Sequence, residues 1–123
     1  MRVELTKEFR FEAAHHLPKT PPGHRCRELH GHGYRVELLL AGEVDPERGW
    51  LVDFDEIDRA VMPVIAKLDH RLLNSVEGLE NPTSENLALF LWRQIKPLIP
   101  QLQAVTVSES LDSRCTYRGE GAA

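Results

Sequence analysis

Two histidines two residues apart, His30 and His32, open the hydrophobic run of CRELHGHGYRVELLL, with Cys26 four residues before the first. Residues i and i+2 of an extended strand project from the same side, ~6.5 to 7 Å apart at Cα, so two imidazoles at this spacing can converge on one metal ion. His15 continues the odd-numbered apolar series Phe9, Phe11, Ala13, and an antiparallel neighbour would bring it beside the other two. Three neutral imidazoles on zinc leave the fourth tetrahedral position open, which is the arrangement of catalytic rather than structural zinc. A bulge in either strand would exchange His15 for His16, and a lone H-x-H at a strand start also occurs without metal.

Three further groups could move protons. Cys26 lies in a loop near these cations, where a thiol ionises more easily and can act as a base; the alternatives are a fourth zinc ligand or an inert loop cysteine. Asp69-His70 pairs a carboxylate with an imidazole, the usual way to tune a proton carrier, although neighbouring side chains often point apart. Glu109 has the parity of Val105 and Val107, a buried face, and a buried carboxylate needs a partner. A ligand offering N–H donors would serve, and so would a strand-end ion pair with Arg114 or Arg118. Cys115 shares the parity of Tyr117 and reads as core, whereas His16 and His24 read as surface or loop residues, His24 with a possible anion contact.

The elements that must position these groups follow from periodicity. Val3, Leu5, Phe9, Phe11 and Ala13 alternate with charged residues and define a first strand. PKTPPGHRCREL, residues 18 to 29, carries three prolines and a glycine and is a loop. A second strand runs from His30 to about Gly42, then DPERGW forms a turn. Asp53 with Glu56 forms a capping-box pattern before a helical stripe of Phe54, Ile57, Val61, Val64, Ile65 and Leu68, in which Pro63 is expected to introduce a kink or a break. Thr83 is the expected cap of a second helix that buries Leu87, Phe90, Leu91, Ile95 and Leu98. AVTVSES and RCTYRG read as a closing hairpin, and the final EGAA as frayed. The order strand, strand, helix, helix, strand, strand predicts an α+β fold, one antiparallel four-stranded sheet with helices on one face. Its two open edges favour an oligomer that pairs them.

A length of 123 residues with 41 % apolar content is the size of one domain, here residues 1–123. The net charge of −4 and the absence of a basic stripe argue against nucleic acid as a partner. No apolar run approaches the ~20 residues of a membrane span, and MRVELTKEFRFEAAHH lacks the apolar core of a signal peptide, so a cytosolic protein with two reduced cysteines is expected.

Taken in order, FEAAHHLP, CRELHGHGY, GWLVDFDEI, LDHRLLN, GLENPTSENLA and VSES resemble the 6-pyruvoyltetrahydropterin synthase superfamily, over nearly the whole sequence. The resemblance implies the tunnelling fold: a ββααββ subunit, barrels closed by trimers, two trimers stacked as a hexamer, and active sites between subunits. It implies His15, His30 and His32 as zinc ligands, Cys26 as the catalytic thiol, and Asp69 with His70 as the second proton-transfer group. Glu109 matches the carboxylate that grips the amino-pyrimidine edge of a pterin, with Ser84 and Glu85 near it. The Cys-x3-His-Gly-His spacing is similar to that of the carboxy-forming bacterial enzymes of queuosine biosynthesis, whereas pyruvoyl-forming relatives typically place two more residues there. The implied reaction converts 7,8-dihydroneopterin triphosphate to a 6-carboxy tetrahydropterin with zinc as the only cofactor. Arg25, Arg27 and Lys19 are the candidates to meet the triphosphate by charge and loop position.

Overall fold

Alternating apolar and charged residues carry β1 (Arg2–His15) and β2 (His30–Glu43), each 14 residues long. In the computed structural model, which describes residues 1–122, they pair antiparallel over their full length. The register sets Phe9 opposite Val36, Phe11 opposite Tyr34 and His15 opposite His30. One face of this ladder is charged. The other carries Phe9, Phe11, Tyr34, Val36, Leu38 and Leu40 into the core.

The expected four-stranded antiparallel sheet is corrected to five strands in the order β3-β1-β2-β4-β5. The extra strand, β3 (Arg71–Leu72), runs parallel to β1 beside Ala13 and Ala14. Two exposed residues carry no periodic signal, which is why the pattern misses them. The strand forms because His70 adopts a left-handed backbone (φ 58°) and its N–H donates to Glu12 O at 2.6 Å, setting the following residues alongside β1. The closing hairpin is β4 (Leu102–Ser108) and β5 (Arg114–Tyr117). The register shift between β2 and β4 falls at Leu39 and Leu40, well away from the histidines.

Two helices cover the apolar face. Helix α1 (Phe54–Ala66) starts at Asp53, whose carboxylate accepts from Asp55 N at 3.0 Å rather than from Glu56. It buries Ile57, Val61, Val64 and Ile65, while Phe54 stays half-exposed. The helix runs through Pro63 as one element, because Pro63 and Arg59, whose carbonyl loses its donor, both sit on the solvent side. Helix α2 (Ser84–Ile95) is capped by Thr83, whose hydroxyl accepts from Asn86 N at 3.1 Å. Its buried face is Leu87, Ala88, Leu91, Trp92 and Ile95; Leu98 lies past the helix end and is exposed.

The C-terminal stretch is held rather than frayed as far as it is described. Tyr117 Oη donates to Glu120 O at 2.7 Å, and Ala122 packs against the core, while Ala123 lies outside the described residues. Gly119 makes this possible. It sits at φ 86°, and a Cβ there would clash with the indole ring of Trp92 at Cζ2. Gly119→Ala should therefore combine backbone strain with overpacking and destabilise by about 2 to 4 kcal/mol. Gly121→Ala, at φ 74° with nothing within 4 Å, should lose only the conformational part, and urea melts of the two variants measure the difference.

Candidate functional site

At the ends of β1 and β2 the ladder turns into a cluster of imidazoles. His15 faces His30 directly, His32 sits opposite Ala13 two pairs along, and the three ring centroids lie 4.6 to 5.0 Å apart. One ligand atom from each of the three falls within 4.8 Å of the other two. His15, only 1 % exposed, is the buried member, so the structure places His15 and not His16 in the cluster. The His16 backbone N–H instead donates to Asn74 Oδ1 at 3.0 Å.

Hydrogen bonds fix which nitrogen of each ring faces inward. A carbonyl oxygen can only accept, so Pro82 O, 2.8 Å from His15 Nδ1, and Glu28 O, 2.7 Å from His30 Nδ1, place the hydrogen on Nδ1 of both rings. Both Nε2 atoms then carry lone pairs, and they stand 3.0 Å apart. Two bare lone pairs at that distance repel unless a proton or a cation lies between them. In tetrahedral zinc with Zn–N of ~2.0 to 2.1 Å, ligand nitrogens sit ~3.3 Å apart, close to the observed spacing. His32 Nε2 is buried without a hydrogen-bond partner, Glu109 Oε2 being 3.6 Å away. Oriented donors, backbone acceptors behind them and an orphaned buried nitrogen fit a metal of the zinc type.

Burial lowers the pKa of His15 below the usual 6.5; His30 and His32 push the same way, and the Pro82 carbonyl and the Glu109 carboxylate oppose. The buried Tyr34 hydroxyl lies 3.1 Å from His15 Nδ1, and burial first, then Glu109, raises its pKa, so it stays protonated. Tyr34 stacks on Phe11 at 4.8 Å, which ties the histidine cluster to the core.

A cleft of about 760 Å³ opens over this cluster, within the ~300 to 1,000 Å³ range of small-molecule sites. It brings together the three histidines, Cys26, Ser84, Glu85 and Glu109. Cys26 sits in a 3₁₀ turn, Arg25–Arg27, capped by His24 Nδ1, which accepts from Cys26 N at 3.1 Å; Cys26 O accepts from Leu17 N at 2.7 Å. His24 thus caps the turn and does not line the cleft. Cys26 stands outside the close histidine group. Glu109 follows the last residue of β4 rather than lying within it, and its Oε1 accepts from Ser84 Oγ at 2.8 Å.

Asp69 and His70 do not reach this cleft. His70, with a side chain 79 % exposed, lines a shallower depression formed with Glu12 and Gly33 that shares only His32 with the cleft. The pair itself is intact: His70 Nδ1 and Asp69 Oδ1 are 3.0 Å apart, and Glu12 N donates to the same oxygen at 3.0 Å. These donors, the Glu12 N–H first, lower the Asp69 pKa. Leu17, Ser110, Ser113, Arg114 and Cys115 also line the cleft, and the sequence pattern does not place them there. Cys115, which parity assigns to the core, lines the cleft half-buried, its pKa raised by burial and by Glu85, and Arg114 enters from the start of β5. The register of β4 with β5, Val107 opposite Cys115, is the information needed to find these two.

Known proteins are similar over this whole frame. The family described as 6-pyruvoyl tetrahydropterin synthase matches residues 4–120. A 6-carboxy-5,6,7,8-tetrahydropterin synthase of Synechocystis is 37 % identical over 92 % of this protein and 91 % of its own length. A dihydroneopterin monophosphate aldolase of Pyrococcus furiosus is 33 % identical over 81 % of each. The solved 6-pyruvoyl tetrahydropterin synthase of Caenorhabditis elegans superposes with a TM-score of 0.90 at 30 % identity, with 97 % of this protein and 96 % of that one aligned. The fold is the tunnelling fold.

The depressed pKa of His15 has a consequence for folding. The folded state takes up its proton only below the unfolded value, so the contribution of His15 to stability is complete above about pH 6.5. It is lost as pH falls through the folded value. Urea melts of metal-free protein between about pH 8 and 5 should show stability declining on the acid side, and His15→Gln should remove its share of that slope.

Proposed function

The chain belongs to the 6-pyruvoyl tetrahydropterin synthase family, and on that footing we propose that it is a 6-carboxy-5,6,7,8-tetrahydropterin synthase, a carbon–carbon lyase of queuosine biosynthesis. 7,8-Dihydroneopterin triphosphate and water would give the 6-carboxy tetrahydropterin, acetaldehyde and triphosphate. One carbon–carbon bond of the substrate's tail and one phosphoester bond break, and tautomerisation reduces the ring without an outside reductant. The observation that carries this reading is the meeting in one cleft of three inward-facing imidazoles, a free thiol and the Ser84–Glu109 pair.

His15, His30 and His32 would hold zinc, which when bound supplies a Lewis acid toward the hydroxyls of the substrate's tail. Glu109, steadied by Ser84, accepts N–H donors from the amino-pyrimidine edge of the pterin, and Glu85 lies beside it. The Cys26 thiolate takes the proton from the tail carbon next to the ring. The opposing acid–base group is His70, whose Nδ1 is held by Asp69, leaving Nε2 to exchange protons.

Because His70 lines a different depression, a second copy of the protein would present it to the cleft. Open edges support such an assembly: β1 is paired along one side throughout but along the other only at Ala13 and Ala14. The assembly proposed is a hexamer of two stacked trimers, each subunit one domain over residues 1–123, working in the cytoplasm. No helix among the described residues is long and apolar enough to cross a membrane.

A product assay tests the reaction. Zinc-loaded protein given 7,8-dihydroneopterin triphosphate should yield acetaldehyde and the 6-carboxy pterin by mass. The close superposition on the Caenorhabditis elegans structure favours one second reading, elimination that stops at the 6-pyruvoyl pterin without acetaldehyde. Cys26→Ala should keep one zinc per subunit by elemental analysis while kcat falls about 10²- to 10⁴-fold. Loss of zinc in that variant would instead make the thiol a ligand and the site structural.

A further inference from the structure

His15 owes its inward-facing nitrogen to a partner 67 residues further along the chain. Pro82 O, 2.8 Å from Nδ1, takes the hydrogen bond that leaves Nε2 bare, so the end of β1 and the segment before α2 must meet at a fixed separation. One side chain joins those two segments. Asn74, half-buried in the 3₁₀ turn Leu73–Ser75, accepts from His16 N at 3.0 Å through Oδ1 and donates from Nδ2 to His16 O at 2.9 Å. Nδ2 also donates to Glu80 O at 3.4 Å, two residues before Pro82. A carboxamide nitrogen has two hydrogens, and here one serves each segment.

The amide is itself well anchored. Leu73 before it is fully buried in the core, and Val76 N closes the turn on Leu73 O at 3.0 Å. Strand β3 pairs with β1 only at Ala13 and Ala14, and Asn74 extends that pairing to His16 with a side chain. The backbone is therefore held on both sides of His15. Pro82 is fenced in the same way, by Asn74 through Glu80 on one side and by the Thr83 cap of α2 on the other.

We infer that Asn74 is a positioning residue of the imidazole cluster, which keeps His15 and Pro82 in register and so holds the His15 hydrogen on Nδ1. Asn74 does not line the cleft and acts only through His15. Which ring nitrogen carries the hydrogen is set by the hydrogen bond the other surroundings offer, and a ring released from Pro82 is free to carry it on Nε2, where no metal can bind. The inference rests on the proposed zinc reading for the use made of the bare nitrogen.

Titration of zinc-loaded protein against a competing chelator, with the His15 ring read by nitrogen-15 NMR, tests this role. Asn74→Ala removes all three bonds; Asn74→Asp keeps the one from His16 N and turns a carboxylate oxygen toward two carbonyls. Both should weaken zinc about tenfold or more, the scale of lost outer partners of a ligand, and speed exchange of the His15 Nδ1–H. Gly119→Ala, which destabilises the fold against Trp92, should bind zinc as the parent does. Parental zinc affinity with an unchanged Nδ1–H signal in the Asn74 variants overturns the inference. So does an equal loss of zinc in Gly119→Ala, since the amide would then act through stability alone. Should neither Asn74 variant fold, the parent decides: a slowly exchanging His15 Nδ1–H and Asn74 amide support the role, and exchange as fast as in exposed groups overturns it. A parent that takes up no zinc would remove the proposed metal, and the same ring and amide signals would still decide the role of Asn74.

Discussion

Fourteen consecutive antiparallel pairs between β1 and β2 carry the rest of the structure. A slip of β1 by one residue would turn Phe9 and Phe11 to the charged face and take His15 away from His30. The same register therefore serves the core and the imidazole cluster. The apolar pairs hold it, since a shift would expose several large side chains at ~1.5 to 3 kcal/mol each. That rigidity imposes on the histidines a geometry they would not choose for themselves, with two bare nitrogens in near contact.

The cluster draws on segments far away in sequence. Pro82 O, just before α2, accepts a hydrogen bond from His15 Nδ1, and Ser84, in the first turn of that helix, holds Glu109 at the end of β4. The Thr83 cap starts α2 between these two residues, so a local capping preference fixes both contacts. The loop between β1 and β2 is pinned at Leu17 to Cys26, which returns the thiol to the cluster despite three prolines and a glycine in between. The three histidines and Glu109 thus stand at the ends of strands, where packing limits their rotamers.

The Asp69–His70 pair obeys a different constraint. A left-handed residue is unusual outside glycine, and here it is stabilised by the short bond from His70 N to Glu12 O and by the β3 pairing that follows. The result is a formed acid–base pair at an open sheet edge, turned out from its own cleft.

Periodicity alone determined much of this protein. Alternation located β1 and β2 and put His15, His30 and His32 on one side; caps at Asp53 and Thr83 and helical stripes located α1 and α2. These features are legible because they repeat over many residues and depend on backbone geometry within one element. Contacts between elements were decided only by the tertiary structure. The two-residue β3 is too short to have a period, and Leu98 is exposed because the helix that would have buried it ends at Ile95. Cys115 and Arg114 joined the cleft through the β4–β5 register, while Asp69 and His70 left it through one left-handed residue. Side-chain parity is a property of one strand, but which strand lies next to it depends on how the whole core closes.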